Sequence, residues 1–241
     1  MRRIETVWNP WHGCRRYSEG CLNCYVYRRD ESVGRDPGRV TPTADRGLPL
    51  ARKRGGSYRL SPGTTVYTCM TSDFFIEEAD PFRTEAWRAV KTRPDLSFLI
   101  FTKRIARVGD CLPEDWGPDY SHVTIVCTVE NQKQCDIRLP ILRDLPIFHK
   151  QVCCEPLLSD IDFGGRLSET GVERVIAGGE SGPSARICRF DWILSLRAQC
   201  LKEQIPFYFK QTGYRFEKDG RLFLIPRNKQ LSQARRAGLD L

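Results

Sequence analysis

Short β-branched or aromatic runs that alternate with helical patterns constrain this chain more than any other feature. The runs lie at Thr65–Cys69, Ser97–Phe101, His122–Cys127, Ile147–Cys153, Arg174–Ala177 and Pro206–Phe209, with an earlier one at Ile4–Trp8. Runs of this length and composition read as buried strands. Between them, helical periodicity predicts helices over Pro81–Thr92, Gln132–Arg143 and Phe190–Gln204. In the first, Phe82, Ala86, Ala89 and Val90 share a face, and Pro81 stands in the opening turn, where its missing N–H is tolerated. In the last, Trp192, Leu194, Leu196 and Leu201 form the expected buried stripe. Buried strands alternating with helices make βαβ units and a parallel sheet. Seven of them predict an α/β fold, a partial or full (β/α) TIM-like barrel in a single domain, with an open doubly wound sheet as the alternative. The expected boundaries are 1–213 for the barrel, with a Gly-, Pro-, Arg- and Asp-rich loop or insertion at 31–63, and 214–241 for a basic C-terminal extension.

Polar residues at the strand ends indicate where chemistry can happen. The first run leads to a cysteine-bearing loop, the second to Thr71-Ser72-Asp73, the third to Thr102-Lys103-Arg104 and the fourth to Thr128, Glu130 and Asn131. The fifth ends at Glu155, the sixth at Gly178-Gly179-Glu180-Ser181 and the seventh at Lys210-Gln211. In a parallel barrel the carboxyl ends of all strands share one rim, and ligands bind there. One polar strand end is ordinarily a cap or a turn; seven in succession read as a lined pocket.

The chain holds eleven cysteines, an odd number that argues against a disulfide framework. Cys69, Cys127, Cys153 and Cys154 sit in apolar runs and read as small core residues. Cys111, Cys135, Cys188 and Cys200 have no partner at ligand spacing and read the same way. Cys14, Cys21 and Cys24 differ: their C-x6-C-x2-C spacing is that of a metal or cluster site. Three thiolates on a four-iron cube leave one iron open, able to chelate the amino and carboxylate groups of S-adenosylmethionine. Gly13, Ser18 and Gly20 allow the loop to fold tightly around such a group. Zinc is the alternative, since His12 with the same three cysteines completes a Cys3His set, although His12 and Cys14 stand closer together than ligands usually do.

Lys and Arg number 38 against 30 Asp and Glu, a net charge of +8 that favours polyanionic partners, nucleic acid above all. The basic residues gather between Arg15 and Arg59, where Arg52, Lys53 and Arg54 are the candidate phosphate contacts, and again from Arg215 to Arg236. No apolar run approaches the ~18 residues that span a bilayer, so no membrane partner is expected. The N-terminal Met1-Arg2-Arg3-Ile4-Glu5 lacks the apolar stretch of a secretory signal, and a cytoplasmic location is expected.

Trp8-Asn9-Pro10-Trp11-His12-Gly13-Cys14 with Cys21 and Cys24, Met70-Thr71-Ser72-Asp73-Phe74-Phe75, Phe101-Thr102-Lys103-Arg104, Gly178-Gly179-Glu180-Ser181-Gly182-Pro183 and Phe209-Lys210-Gln211 together resemble a phage-encoded family of radical-SAM-like proteins. The likeness runs from about residue 4 to about residue 213. It is similar also to radical S-adenosylmethionine isomerases of phage pathways that hypermodify thymine in DNA. The resemblance implies a barrel of the radical SAM type, a 4Fe–4S cluster on Cys14, Cys21 and Cys24, S-adenosylmethionine on the open iron and an external one-electron reductant. A host-cell cytoplasm and, as substrate, DNA carrying a modified thymidine follow from the same likeness. In that frame Ser72 and Asp73 hold the methionine amino group, Lys103 or Arg104 its carboxylate, and Glu130 or Asn131 the ribose. Glu155, Glu180, Lys210 and Gln211 then face the substrate.

The chain departs from the general radical SAM pattern in three ways. The usual cluster motif is C-x3-C-x2-C; an aromatic often precedes the last cysteine where Asn23 stands here; and Gly178-Gly179-Glu180 follows the sixth strand instead of the second. A zinc-stabilised nucleic-acid-binding protein without catalysis is the alternative, and a recognition subunit that needs a partner chain is a third reading.

Overall fold

A computed structural model describes residues 4–241, so Met1, Arg2 and Arg3 of the N-terminal stretch lie outside the described residues. Along the chain come β1 (Glu5–Trp8), β2 (Trp11–His12), α1 (Tyr25–Ser32), β3 (Thr41–Pro42), β4 (Thr65–Thr68), α2 (Asp80–Thr92), β5 (Ser97–Thr102), α3 (Val108–Cys111) and β6 (Val123–Thr128). There follow α4 (Gln132–Asp144), β7 (His149–Cys154), α5 (Leu167–Thr170), β8 (Val172–Gly178), β9 (Cys188–Arg189), α6 (Phe190–Lys202), β10 (Phe207–Gln211), β11 (Arg215–Lys218), β12 (Arg221–Leu224) and α7 (Arg227–Arg236). The fold is mixed α/β, with a seven-stranded sheet of order β1-β4-β5-β6-β7-β8-β10. The pairs β1·β4, β4·β5, β7·β8 and β8·β10 are parallel. All seven strands expected from the apolar runs are present, in chain order.

Two compact units divide the chain. The first takes Arg29–Val126, the segment before Tyr17, and Pro146–His149; the second takes Tyr17–Arg28, Cys127–Leu145 and Lys150–Leu241. In the first, an aromatic core centres on Trp87 of α2, whose ring meets Phe74 at 4.9 Å, Trp116 at 5.7 Å and Tyr120 at 5.8 Å. The buried face of α2 therefore differs from the expected one. Phe82 is only half-buried, while Arg83 and Trp87 join Ala86, Ala89 and Val90 inside. Arg83 can be buried because Nε donates to the Phe74 carbonyl (3.0 Å) and Nη2 to that of Ile76 (2.7 Å).

Residues 31–63 are tied into this unit at several points. β3 pairs antiparallel with β2, and the Trp8 indole N–H lies within hydrogen-bond distance of the Asp45 (3.2 Å) and Arg46 (3.1 Å) carbonyls. Arg93, fully buried at the end of α2, donates to the carbonyls of Pro49 (2.5 Å) and Leu60 (2.9 Å) and lies 4.0 Å over the Tyr58 ring. One guanidinium thus satisfies backbone oxygens that a long segment leaves without strand partners. Arg52, Lys53 and Arg54 are exposed on this segment. There Arg52 also donates to the Gly56 carbonyl (2.6 Å) and lies over Tyr58.

In the second unit, α6 buries Ile193, Leu196 and Cys200, while Leu194 and Leu201 are 40% and 57% exposed and Trp192 is half-buried. Of the expected stripe only Leu196 is buried: the spacing 193, 196, 200 keeps a single face of a 3.6-residue helix. Residues 214–241 are folded onto the end of the sheet. β11 pairs with β12 and with β9, the Leu241 N–H donates to the Phe207 carbonyl (2.9 Å), and the Phe209 N–H donates to Asp240 Oδ1 (2.9 Å). Among the described residues no helix is long and apolar enough to cross a membrane.

Candidate functional site

Within the first unit, Cys14 follows the short strand β2. Its N–H donates to the Pro37 carbonyl (2.8 Å), and the Gly13 N–H donates to the Thr71 carbonyl (3.3 Å). Gly13 has φ +94°, and a Cβ there would collide with the Arg39 carbonyl, so only glycine brings the chain this close. The Ser72 hydroxyl donates to the Gly13 carbonyl (2.5 Å). Next to it the buried Asp73 accepts from Thr102 Oγ1 (2.8 Å), the Phe75 N–H (3.0 Å) and the Lys103 N–H (3.0 Å). Asp73 thereby joins the carboxyl ends of β4 and β5. Arg104, also buried, lies 3.5 Å from Asp73 and donates to the Arg15 carbonyl (3.0 Å). Burial works against its charge, but the negative groups Asp73, Cys14 and Glu77 outweigh that and raise its pKa further. A fixed cation beside the Cys14 sulfur is a setting that suits a metal-ligating thiol. Lys103 is half-buried at the same strand end. The His12 ring, Nε2 to Asp30 Oδ2 at 2.6 Å, forms a buried pair with the last part of α1.

Within the second unit, Cys21 closes a 3-10 turn (Glu19–Cys21), and Cys24 stands just before α1. The C-x2-C spacing gives one tight turn, with the Cys24 N–H donating to the Cys21 carbonyl (3.3 Å). Glu130 is fully buried: Oε1 accepts from the Ser18 hydroxyl and the Gly20 N–H (3.3 Å), and Oε2 pairs with Arg138 (2.8 Å). Glu180, 6% exposed, accepts from the Asn23 amide (3.0 Å), the Arg186 N–H (2.8 Å) and the Arg186 guanidinium (2.6 Å at the closer oxygen). Burial raises its pKa, yet the hydrogen bonds from Arg186 and Asn23 win and hold the carboxyl below the usual glutamate range. At the ends of β7 and β10, Glu155 accepts from Lys210 Nζ (2.6 Å) and from the Gln211 amide. Burial opposes the Lys210 charge, but neighbouring Glu155 raises its pKa above that of an ordinary lysine.

Asn131 is the N-cap of α4, its side-chain oxygen accepting from the Gln134 N–H (2.9 Å). Asn131→Ala should cost about 1 kcal/mol, as loss of an N-cap usually does. Urea unfolding of the two proteins measures the difference.

The eleven cysteines fall into two sets. Cys14, Cys21 and Cys24 are half-buried, and the other eight are buried. Burial drives the thiols of Cys127, Cys135, Cys188 and Cys200 up to about 12 and raises those of Cys69, Cys111 and Cys154 as well. Among the described residues the half-buried thiols thus all lie on the C-x6-C-x2-C segment, which fits a thiolate-held group there. Among the described residues no three His, Cys, Asp or Glu side chains are gathered at metal-binding distance.

Sequence reasoning identified the carboxylates at the strand ends but missed their partners. Arg138 and Arg186 carry no local signal, and Asn23, Thr102 and Ser18 stand in the motifs without showing which carboxylate each meets, because those contacts form only after folding. A family model matches residues 1–238 of the chain: DUF5131, described as a protein of unknown function. No curated protein and no solved structure matches it.

Proposed function

The chain belongs to the DUF5131 family, and we propose that it is a radical S-adenosylmethionine enzyme in which Cys14, Cys21 and Cys24 hold a 4Fe–4S cluster on a partial TIM-like barrel. The observation that carries this reading is the sorting of the cysteines: the three at cluster spacing are the accessible ones, and the other eight are buried thiols. Held there by Cys14, Cys21 and Cys24, the cluster with S-adenosylmethionine would supply hydrogen-abstracting radical chemistry, given one electron from an external reductant.

The chain's own residues bind, orient and shield. Ser72 and Asp73 serve the methionine amino group, and Lys103 or Arg104 its carboxylate. On the substrate side, Lys210 stays an ammonium at neutral pH because Glu155 raises its pKa. It therefore holds an anionic or carbonyl group in place and does not take a proton. Gln211 and Lys210 in turn fix the Glu155 carboxylate. For the substrate we favour DNA carrying a modified thymidine, in an isomerase reaction. The exposed Arg52, Lys53 and Arg54 suit phosphate contacts. A base in a duplex would have to be flipped out of the stack to be reached, at a cost of a few kcal/mol.

Iron-loaded protein given S-adenosylmethionine and a strong reductant under anaerobic conditions should release 5′-deoxyadenosine, slowly even without substrate. Iron-loaded protein that releases none rejects the reading. The same protein should bind long duplex DNA at low salt and lose affinity steeply as salt rises. No binding at low or physiological salt removes nucleic acid and leaves a nucleotide or another small molecule.

One observation favours zinc as the second reading. A metal-ligating histidine commonly shares its other ring nitrogen with a carboxylate, as His12 Nε2 does with Asp30. Metal analysis after anaerobic purification separates the two.

A further inference from the structure

We propose that Glu130 and Glu180 are positioning residues that lock the segment carrying Cys21 and Cys24, in place of the ribose and substrate contacts that their strand-end positions suggest. The two carboxylates grip opposite ends of one short stretch. Glu130, on the α4 side, holds the Ser18 hydroxyl and the Gly20 N–H, immediately before Cys21. Glu180, at the end of β8, holds the side chain of Asn23, the residue before Cys24. Arg186 adds a third grip, since Nη1 donates to the Glu19 carbonyl (2.9 Å) while the rest of its guanidinium closes on Glu180. Asn23 also donates to the Ser184 carbonyl (2.8 Å), and Gln134 donates to Glu19 (3.2 Å).

Neither carboxylate is left open for a ligand. Glu130 is fully buried, with one oxygen on Ser18 and Gly20 and the other on Arg138. Glu180 has one oxygen on the Arg186 guanidinium, and the other takes Asn23, the Arg186 N–H and Nε. A carboxylate so engaged would have to abandon charge-assisted hydrogen bonds to bind a hydroxyl, an unfavourable exchange in a buried setting. The fit at Gly20 is equally tight. A Cβ there would stand 3.1 Å from the Glu130 side chain, so the glycine allows the backbone to lie directly against the carboxylate. A preorganised pair of thiols needs this kind of support, because two cysteines on a turn reach one metal only when the turn is held.

The consequence for metal rests on the proposed ligand role of Cys21 and Cys24; the locking itself does not. Both are tested in the full chain with Glu180→Gln and Arg186→Ala, and with Glu130→Gln where it folds. In metal-free protein, amide exchange at residues 19–24 should rise in each variant at least tenfold more than exchange in β7 and β8. After anaerobic loading well below each variant's own melting temperature, iron plus zinc per chain should fall by half or more. Wild-type exchange at residues 19–24 together with wild-type metal content in Glu180→Gln and Arg186→Ala would overturn the proposal. A wild-type protein that retains zinc and no iron sinks the radical reading alone, and the exchange measurement still decides the lock.

Discussion

Replacing Cys14, Cys21 or Cys24 with alanine is expected to abolish colour, iron binding and 5′-deoxyadenosine release together. Wild-type protein, reconstituted without oxygen, should be brown and carry about four irons per chain, with the broad absorption of a thiolate-bound cube. On the proposed reading the effect is all-or-none, because each sulfur would be a ligand that the other, buried cysteines are not placed to replace. Those eight are buried, and burial raises the thiols of seven of them. Cys127→Ala is the control. It removes a fully buried thiol and should cost about 1–2 kcal/mol of stability while leaving iron content intact. Iron assay, absorption spectroscopy and chemical unfolding on the four variants read both effects. Full iron content in any of the three motif variants would remove that cysteine from the ligand set.

Arg138→Met should produce the largest loss of stability, about 3–5 kcal/mol, through a different cause. The Arg138 and Glu130 side chains are 2% and 0% exposed and meet at 2.8 Å. Removing one partner of a buried pair leaves the other charge desolvated and uncompensated, which costs more than the pair contributes. Arg138 also donates to the Thr128 carbonyl (2.7 Å), so that buried acceptor loses a partner too. For a chain of this length the melting temperature should fall by roughly 10 °C. The double variant Glu130→Gln with Arg138→Met should recover part of the loss, because no buried charge then remains. A single variant within about 0.5 kcal/mol of wild type would mean that water reaches Glu130 and that the pair is not buried in solution.

Much of this architecture is legible along the chain. All seven sheet strands were marked by apolar runs, since burial on both faces leaves a composition that can be read locally. Even there, phase was lost at α6, where Leu194 and Leu201 are hydrophobic but exposed and Ile193 and Cys200 lie inside. A helix with apolar residues around much of its circumference does not declare which face is covered. Residues 31–63 read as a loop by composition. Their attachment depends on Arg93, a charged residue beyond their end whose burial no local pattern announces.

The amino-acid sequence by itself determined the order of the seven sheet strands and of the three long helices among them, the polar strand ends and the division of cysteines between a spaced motif and the core. Those properties arise from neighbours a few residues apart, whose periodicity and spacing survive in one dimension. The tertiary structure decided which partner each polar group meets. Asn23 meets Glu180 across 157 positions, Gly20 meets Glu130 across 110, and Thr102 meets Asp73 across 29. A carboxylate at a strand end looks the same in sequence whether it waits for a ligand or is saturated by the protein's own donors. Only folding brings in those distant donors, and with them the difference between a group that binds and a group that holds.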